Sequence, residues 1–471
     1  MDPALLALRQ PATQWGVKAI LVCVLAVLMA IPGLFVYALI ADRAGRAQSV
    51  VQQVSELRGG AQQVLGPVFV APFETLDDKG KVIGQGWWIV SPQSGSANVT
   101  VKSESLHRGI FSVPVFDATI NFAANFGALQ KAAAPPNVRI DWDLGRVVLG
   151  FSDLRGAKSD IQAKVVGGPA GSDIEFAPAS SINLDATAAQ TQQTLSDAGP
   201  FGLVSGPAPA LLASQTGAAV FATLKLTGAQ RLSVMPFAKT TKVSMIGDWP
   251  SPSFDGGFLP DQRQVGVARF TASWTVPFVA RGLSDQGPSS AISLTELGKR
   301  DVGVTFARTN NPYENVQRSL KYGVMFIGLV FLTFFLFEAL SGQRLHPAQY
   351  VLIGLAQMIF YLLLLSISEY LGFDAGFVIA AAATVGLIGF YAGWAFKSAR
   401  YRLRALVIFS ILYALIYCLM RLEDFALLAG SIASFTGLAV AMYLTRNLDW
   451  YGSRVALSTN RAPSDGPPES S

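Results

Sequence analysis

Five side chains in or beside the most apolar stretches of the sequence carry groups that could do chemistry. They are Glu338, His346, Glu369, Glu423 and Asp424. Two neighbouring carboxylates can divide acid and base roles when their surroundings move their pKa values apart. An ionisable group inside a membrane is also costly enough to mark a site. The adjacent Glu423 and Asp424 therefore permit a catalytic pair, and the three glutamates together permit a binding site for a lipid.

Membrane spans are the elements that must position these groups. Hydrophobic residues make up 51% of the chain and charged residues only 14%, whereas soluble proteins carry about 25% charged residues. The apolar residues gather in one run near the N-terminus and in a block towards the C-terminus, and runs of about 20 such residues cross a bilayer. The sequence predicts six transmembrane helices, at residues 19–41, 322–340, 350–370, 373–396, 403–420 and 425–444.

The first apolar run allows a second interpretation, which is a cleaved signal peptide. The apolar core of a signal peptide has about 7–15 residues and is followed by a small-residue cleavage site. This run is longer, and no clean Ala-x-Ala sequence follows it. We therefore predict an uncleaved membrane anchor.

Basic residues set the orientation, because cytoplasmic loops collect Lys and Arg. Arg9 and Lys18 precede the first span, and Lys397 and Arg400 lie in the basic connection between the fourth and fifth spans. We therefore predict a multi-pass protein of a bacterial inner membrane with both termini in the cytoplasm. Its parts are a cytoplasmic N-terminus (1–18), the first helix (19–41), a periplasmic β-rich domain (42–318), a five-helix transmembrane block (319–445) and a cytoplasmic tail that is disordered at its end (446–471).

Apolar and polar residues alternate in the region between the first two spans, as in strands with one buried face. One predicted strand face carries Phe270, Ala272, Trp274, Val276 and Phe278. Residues 138–144 alternate in the same way, residues 41–63 predict a helical stalk, and residues 179–199 predict a helix or an inserted loop. The predicted fold class is an α-helical membrane protein with six transmembrane helices and a large inserted all-β periplasmic domain, a single or double β-sandwich.

Residues of the kinds that perform catalysis are scarce. The two histidines are His107 and His346, and no sequence signature of a serine hydrolase, a zinc protease, a thiol redox pair or a P-loop occurs. His107 is predicted to be a surface histidine. Asp141 and Asp143 could hold a calcium ion on one strand face, but two solvated carboxylates are the simpler interpretation. We predict no catalytic residue, no cofactor and no metal.

Other motifs also favour structural interpretations. GFLPDQRQ and FSDLRGAKSD are predicted to form turns held by Asp–Arg pairs, with a ligand site as the alternative. Cys23 and Cys418 are predicted at membrane depths about 14 Å apart, so no disulfide is expected. The sequence has no basic stripe with interleaved aromatic residues, so no nucleic acid is expected as a partner.

The predicted span interiors are free of ionisable residues at mid-depth, which disfavours a transporter driven by protons or sodium ions. Glu338 is predicted near the cytoplasmic end of its span and Glu369 near the external end of its own. Asp424 is placed to cap the last helix, and this structural interpretation is favoured over a catalytic pair. Gly389 and Gly393 have the spacing that favours close packing of membrane helices.

Several long strings carry a similarity to a known family. They are RSLKYGVMFIGLVFLTFFLFE, HPAQYVLIGLAQMIFYLLLLSISEY, LEDFALLAGS and MYLTRNLDWY in the C-terminal block, and GPVFVAPF, RGIFSVPVF, GFSDLRG and PSFDGGFLP before it. In this order, and over nearly the whole chain, the sequence resembles the CreD family of inner membrane cell envelope integrity proteins. Two positions depart from the family pattern: Tyr370 stands where histidine is typical, and Arg58 where tryptophan is typical.

The resemblance implies a role in envelope integrity and stress, including colicin tolerance and the response to β-lactams, and it supplies no reaction. We predict a non-enzymatic protein whose partners are the lipid bilayer and an unknown envelope protein, glycan or lipid. One alternative is the handling of a lipid or lipid-linked substrate in a lateral groove with Glu338, Glu369 and Glu423 at its mouths. A weaker alternative is a membrane enzyme that uses Glu423 and Asp424.

Overall fold

The chain divides into two compact units. The membrane unit comprises Met1–Gly45 and Asn310–Ser471, and the β unit comprises Arg46–Thr309. The computed structural model describes residues 11–129, 134–167, 172–179, 182, 184, 201–306, 312–321, 323–341, 343–421 and 426–446. The predicted site residues Glu423 and Asp424, most of segment 179–199 and the tail from residue 447 lie outside these described residues.

Helices make up the described part of the membrane unit. In chain order they are α1 (Pro11–Leu28), α2 (Ala30–Leu57), α3 (Pro312–Lys321), α4 (Gly323–Ser341), α5 (Pro347–Leu371), α6 (Phe373–Ala395), α7 (Ala399–Arg421) and α8 (Ala426–Thr445). Helix α2 continues beyond the boundary of the unit, so the stalk predicted for residues 41–63 is helical as far as Leu57.

Four helices among the described residues are long and apolar enough to cross a membrane. They are Gly16–Leu57, which joins α1 and α2, together with α5, α6 and α7. A fifth span results if Tyr313–Leu320 and Met325–Ser341, which are bent by 50°, cross together. Helix α8 contains a shorter apolar helix, Gly430–Val440. The structure thus has the membrane-spanning type of helix that the sequence predicts, and the number six stays a prediction.

Pro32 accounts for the interruption between α1 and α2. Proline has no N–H to donate to the carbonyl four residues earlier, which here belongs to Leu28, and the helix is interrupted at the next residue, Met29. The Met29 N–H still donates to the Leu25 carbonyl at 3.0 Å, and the Gly33 N–H donates to the Met29 carbonyl at 3.2 Å. The two halves therefore continue as one apolar element.

Helices α6 and α7 approach closely where α6 has glycine. A Cβ added at Gly389 would lie 2.4 Å from Leu406 Cδ2, and one added at Gly393 would lie 2.8 Å from Arg402 Cβ. Contacts this short are sterically forbidden, so only glycine allows this approach. The close packing predicted from the spacing of the two glycines is confirmed.

Strands dominate the β unit. They are β1 (Gln62–Leu76), β2 (Val82–Val90), β3 (Ser94–Arg108), β4 (Phe111–Phe126), β5 (Val138–Ile140), β6 (Arg146–Phe151), β7 (Gln162–Val166), β8 (Asp173–Ile174), β9 (Ala177–Pro178), β10 (Gly202–Pro207), β11 (Ala218–Ala229), β12 (Arg231–Val234), β13 (Thr240–Gly247), β14 (Pro252–Gly256), β15 (Gln262–Val265), β16 (Phe270–Val276), β17 (Gln286–Pro288) and β18 (Val302–Phe306). Short helices lie at Pro209–Ala213, Phe278–Arg281 and Leu294–Gly298, and 3-10 turns at Trp142–Leu144 and Leu154–Gly156.

The described strands form two sheets. The main path of the ten-stranded sheet is β14-β18-β12-β1-β6-β10-β9, with β2 and β5 also paired to β1 and β17 paired to β2. The eight-stranded sheet has the order β15-β16-β13-β3-β4-β11-β7-β8. Buried residues of both sheets belong to one hydrophobic cluster, and the ring centroids of Phe116 on β4 and Phe306 on β18 lie 5.1 Å apart. A large β-rich unit of two sheets with a shared hydrophobic core is therefore present, and its description as a β-sandwich stays a prediction.

The alternation predicted for β16 is confirmed at four of its five positions. Phe270, Ala272, Trp274 and Val276 are all buried. The prediction was wrong for Phe278, which is 37% exposed and begins a short helix after Pro277. Proline cannot donate a ladder hydrogen bond, so it ends the strand here.

The strand predicted for residues 138–144 is also shorter than expected. Strand β5 ends at Ile140, and the next residues form a 3-10 turn closed by the Gly145 N–H and the Trp142 carbonyl at 2.9 Å. The Trp142 ring stacks on Phe69, with 6.2 Å between centroids, and Leu144 is 60% exposed. Ring stacking on the neighbouring strand replaces the predicted alternation.

Candidate functional site

Glu338 lies in a buried ion pair at the end of α4. Its side chain is 0% exposed. One carboxylate oxygen, Oε1, accepts a hydrogen bond from Lys18 Nζ of α1, and Oε2 accepts one from the Tyr350 hydroxyl of α5 at 2.9 Å. Lys18 also donates to the Leu345 carbonyl at 2.7 Å. Segments that are far apart in the sequence therefore meet at one carboxylate.

This arrangement engages both oxygens of the carboxylate. A buried charge is tolerated when it is paired and its hydrogen-bonding capacity is satisfied. Removing either partner would leave the other buried without its counter-charge. The chemistry available to Glu338 in this geometry is the cross-linking of α1, α4 and α5.

His346 has a local role at the start of α5. Its Nδ1 accepts a hydrogen bond from the Ala348 backbone N–H at 3.2 Å. The backbone N–H of His346 donates to Gln349 Oε1 at 2.9 Å. Together these bonds form a capping box, which satisfies N–H groups that have no partner inside a helix. His346 is exposed, and its cap holds the turn that contains the Leu345 carbonyl.

Glu369 repeats the pattern of Glu338 near the other end of α5. Its side chain is 8% exposed, and Oε2 lies 4.0 Å from Arg43 Nη1. The Tyr313 hydroxyl donates to Oε1 at 3.0 Å. Each buried glutamate thus has a tyrosine and a basic residue of the N-terminal helices as partners. Lys18 and Arg43 are separated by about 37 Å of helix, slightly more than a bilayer core of about 30 Å.

A lateral groove lies between α6 and α7, and neither Glu338 nor Glu369 lines it. The charged side chains beside it are Asp374 and Arg421, which form an ion pair. The sequence-based hypothesis of a groove with Glu338, Glu369 and Glu423 at its mouths therefore does not describe this groove, and it stays a prediction.

In the β unit, Arg231 of β12 is the centre of a partly buried polar network. Its Nε donates to Asp255 Oδ1 at 2.8 Å, and its Nη1 donates to Asp301 Oδ2 at 2.8 Å. Gln63 Nε2 donates to the same Asp301 oxygen at 2.6 Å. Burial lowers the pKa of Arg231, but hydrogen bonds to the two carboxylates raise it by more. The network ties β1, β12 and β14 to the start of β18 and fits a structural role.

The two Asp–Arg motifs differ in the structure. In FSDLRGAKSD, the Arg155 guanidinium donates to Asp153 at 2.6–3.0 Å, as predicted, and it holds the pKa of Asp153 below its usual value. In GFLPDQRQ, Asp261 instead accepts from the Thr275 N–H at 2.7 Å. Asp153 and Phe201 line a cavity of about 460 Å³. A ligand could therefore fit beside FSDLRGAKSD, which keeps the ligand-site alternative open for that motif.

The hairpin of β15 and β16, with the residues just before it, exposes both apolar and basic side chains. Leu259 is 74%, Val265 is 51% and Val267 is 94% exposed, and Arg263 and Arg269 are also exposed. Strand β15 is at the edge of its sheet, where backbone N–H and C=O groups can pair with another molecule. These five residues are called the hairpin surface below.

The structure also locates the residues considered for metals. Among the described residues, no group of three or more His, Cys, Asp or Glu side chains is placed to hold a metal ion. His107 is exposed on β3, opposite Ser112 of β4. Asp143 lies within a 3-10 turn that Asp141 precedes, so the two do not share the regular strand face on which the calcium alternative depended.

Sequence reasoning missed Lys18, Tyr350, Arg421 and the pairing of Asp374. The available signal was the predicted depth: Lys18 and Glu338 have opposite charges and both fall at the cytoplasmic ends of their predicted spans. The same holds for Asp374 and Arg421 at the external ends. Matching charges by depth would have proposed both pairs.

Comparisons with known proteins match nearly the whole chain. The family model described as inner membrane protein CreD matches residues 14–451. The inner membrane protein CreD of Escherichia coli (strain K12) is 27% identical over 441 residues, which cover 90% of this chain and 91% of that protein.

Solved structures give a much weaker similarity. An M1 zinc metallopeptidase from Deinococcus radiodurans is 12% identical, with a TM-score of 0.19, and the match covers 46% of this chain and 41% of that chain. A mutant of that enzyme bound to a Tyr-Ser-Ala substrate gives 12% identity and a TM-score of 0.20 over the same shares. Similarity at this level supports no conclusion on fold or activity.

Proposed function

The chain belongs to the CreD family of inner membrane proteins, and from this premise we propose that it supports the integrity of the cell envelope without catalysing a reaction. In this proposal six helices cross the inner membrane and both termini lie in the cytoplasm. The β unit is a periplasmic β-sandwich that binds an envelope protein or glycan during envelope stress, including exposure to colicins and β-lactams.

The observation that carries this proposal is the engagement of the buried carboxylates. Glu338 is bound on both oxygens by Lys18 and Tyr350, and Glu369 has Tyr313 and Arg43 as neighbours. Carboxylates held in this way cross-link helices and are poorly placed to relay protons or activate a substrate. The membrane unit then serves as an anchor, and binding falls to the β unit.

The hairpin surface is where we expect that binding. Large apolar side chains that are exposed together mark interaction sites more often than isolated ones do. Leu259 and Val267 are among the most exposed apolar residues of the β unit, and Arg263 and Arg269 of the same segment are also exposed. An acidic or polar envelope component with an apolar edge fits this surface.

Complementation tests the proposal in cells. In a bacterium that lacks its CreD-type protein, the full-length chain should restore tolerance to a colicin and to a β-lactam. Replacing Leu259→Asp together with Val267→Asp should abolish the rescue at an unchanged protein level. Leu144→Asp is the matched control, because Leu144 is 60% exposed outside the hairpin surface, and it should leave the rescue intact.

Two results would overturn the proposal. Full rescue by the hairpin double variant would show that the hairpin surface is not the binding site. Turnover of an envelope substrate by the purified full-length protein would remove the non-enzymatic role.

Labelling from outside the cell tests the orientation. In a chain with Cys23 and Cys418 replaced by Ser, a membrane-impermeant maleimide should label Val267→Cys in intact spheroplasts. Arg400→Cys, which is also exposed, should react only after the membrane is permeabilised. The reverse pattern would contradict the predicted topology.

A further inference from the structure

The groove between α6 and α7 has the dimensions of a ligand site. Its volume is about 310 Å³, which reaches the lower limit of about 300 Å³ for small-molecule sites. Its walls are apolar and include Phe377, Ala381 and Val385 on α6 and Tyr413 on α7. The wall residues of α6 extend over about 12 Å of helix. Both helices are apolar enough to cross a membrane, and Val378 of the groove wall is 65% exposed.

Close helix packing at one end of the groove and small side chains along it keep it open. Close contact at Gly389 and Gly393 fixes the distance between the two helices at one end. Along the groove, small side chains such as Ala381 and Ala414 leave the space between the helices unfilled. The gap is therefore a consequence of the backbone arrangement and does not require a side chain to move.

Aromatic contacts make the floor rigid. The Tyr413 ring lies 4.9 Å from Phe326 of α4 and 4.8 Å from Phe360 of α5, measured between centroids. Phe377 also contacts Phe360, at 5.6 Å, and Tyr417, at 5.2 Å. A preformed apolar floor loses little conformational entropy when a flexible chain binds on it.

Opposite charges stand one helical turn beyond the groove. Asp374 lies in the first turn of α6 and Arg421 ends α7. Arg421 Nη2 donates to Asp374 Oδ1, which also accepts from the Tyr417 hydroxyl at 3.1 Å. The two charged side chains are 51% and 49% exposed. Unlike Glu338, they remain accessible to a polar group that arrives from the membrane surface.

We propose that this groove binds one acyl chain of a phospholipid whose headgroup carries both a phosphate and a primary ammonium. The chain would lie on the floor made by Phe377 and Tyr413. The phosphate would accept hydrogen bonds from Arg421, and the ammonium would donate to Asp374. This site goes beyond the proposed function, because it belongs to the membrane unit and is independent of what the β unit binds.

Charge complementarity favours this lipid over one with a purely anionic headgroup. An anionic headgroup could use Arg421, but it would leave Asp374 facing a second negative group. A zwitterionic headgroup gives each member of the pair a partner of opposite sign. Exposed ion pairs are worth little, so exchanging the Asp374–Arg421 pair for two contacts with a headgroup costs little stability.

Native mass spectrometry of the full-length protein in mild detergent tests the proposal. The protein is incubated with equal amounts of phosphatidylethanolamine and phosphatidylglycerol that carry identical acyl chains. We expect one lipid per chain, with phosphatidylethanolamine retained in preference by about fivefold, the ratio expected for one additional exposed ion pair. Asp374→Asn should remove that preference, and Arg421→Gln should lower retention of both lipids.

A second pair of variants tests the chain-binding floor. Ala381→Phe should fill the groove and abolish retention of both lipids. Ala383→Phe is the matched control, because Ala383 is exposed on α6 outside the groove. This variant should retain both lipids as well as the wild type does. If Ala381→Phe fails to fold, the half-exposed Asp374 and Arg421 variants still decide the matter.

Three results would overturn the inference. Equal retention of the two lipids by the wild type would show that the site does not select the zwitterionic headgroup. Unchanged lipid retention by Ala381→Phe would show that the acyl chain does not bind in the groove. A dimer of the wild type that Ala381→Phe dissociates would assign the groove to a second copy of the chain.

Discussion

The two ends of the membrane unit use the same chemistry in different surroundings. At one end, Lys18 and Glu338 form an ion pair whose carboxylate is 0% exposed and has Tyr350 as a further partner. At the other end, Arg421 and Asp374 form an ion pair that is about half exposed and has Tyr417 as a further partner.

Burial decides what each pair can do. A buried pair pays a desolvation cost that only its partner offsets, so it becomes essential to the fold once formed. An exposed pair contributes little and can exchange partners. The buried Lys18–Glu338 pair should therefore respond to mutation through stability, and the exposed Asp374–Arg421 pair through binding.

Breaking the buried pair should have the largest effect. Glu338→Gln leaves the Lys18 ammonium without its counter-charge in a largely buried position, and we expect the free energy of unfolding to fall by about 3–5 kcal/mol. The measurement is equilibrium unfolding of the full-length protein in mixed micelles with increasing denaturing detergent.

Asp374→Asn is the control at the exposed end. Its expected cost is below about 1 kcal/mol in the same experiment. Equal losses in the two variants would show that burial does not separate the two ends.

The β unit extends the comparison to two arginines. Arg231→Met should destabilise by about 3 kcal/mol, because Asp301, whose side chain is 5% exposed, loses the guanidinium that it pairs with. Arg281 is 1% exposed, and among the described residues its Nε and Nη1 have no hydrogen-bond partner. Burial lowers the pKa of Arg281 to about 10. Arg281→Met should therefore leave stability unchanged or raise it.

Thermal unfolding of the two arginine variants checks this difference. Arg281→Met loses the bond from Nη2 to Ser91 at 2.8 Å, but it also removes the desolvation cost of a poorly paired charge. A loss of stability in Arg281→Met as large as in Arg231→Met would contradict the interpretation.

Close packing at α6 and α7 should give a smaller effect with an internal control. Gly389→Ala places a Cβ 2.4 Å from Leu406, and overpacking of this kind costs about 1–3 kcal/mol. Gly386, on the same helix, has no atom within 4 Å of an added Cβ. Gly386→Ala should be neutral or stabilise by up to about 1 kcal/mol, because alanine favours helix. Indistinguishable melting temperatures for the two variants would argue against the close approach.

The smallest effect should be a pH dependence at the exposed pair of the β unit. Arg155 lowers the pKa of Asp153 in the folded protein, so the pair stabilises above the unfolded value, which is about 3.9. That stability is lost as the pH falls through the lowered folded value. The difference in melting temperature between wild type and Asp153→Asn should shrink as the pH falls below about 4. A constant difference from pH 5 downwards would show that the pair is not formed.

Local patterns predicted much of this molecule. The strand face of Phe270, Ala272, Trp274 and Val276 follows from period-two burial, and close helix packing at Gly389 and Gly393 follows from their spacing. The sequence-based prediction was wrong where a local feature overrode the pattern. At Phe278, for example, Pro277 ends the hydrogen-bonded strand.

The charged partners could not be read from local patterns. Lys18 and Glu338 are 320 residues apart, and only the shared depth of their predicted spans could have suggested the pair. The groove depends on distances between helices that no single helix encodes. Glu338 was placed correctly near the end of its helix, but whether it serves binding or cross-linking is decided by residues on α1 and α5.

Replacing the buried pair as a whole tests the central claim most directly. The variant Lys18→Met with Glu338→Leu removes both charges and keeps apolar volume, which should restore most of the stability lost in Glu338→Gln. It is expressed in the bacterium that lacks its CreD-type protein, at a level matched to the wild type, and tolerance to a colicin and a β-lactam is measured. Full rescue is the expected result, because the pair only cross-links helices. Loss of rescue at a normal level of folded protein would contradict this, since Glu338 would then have a direct function.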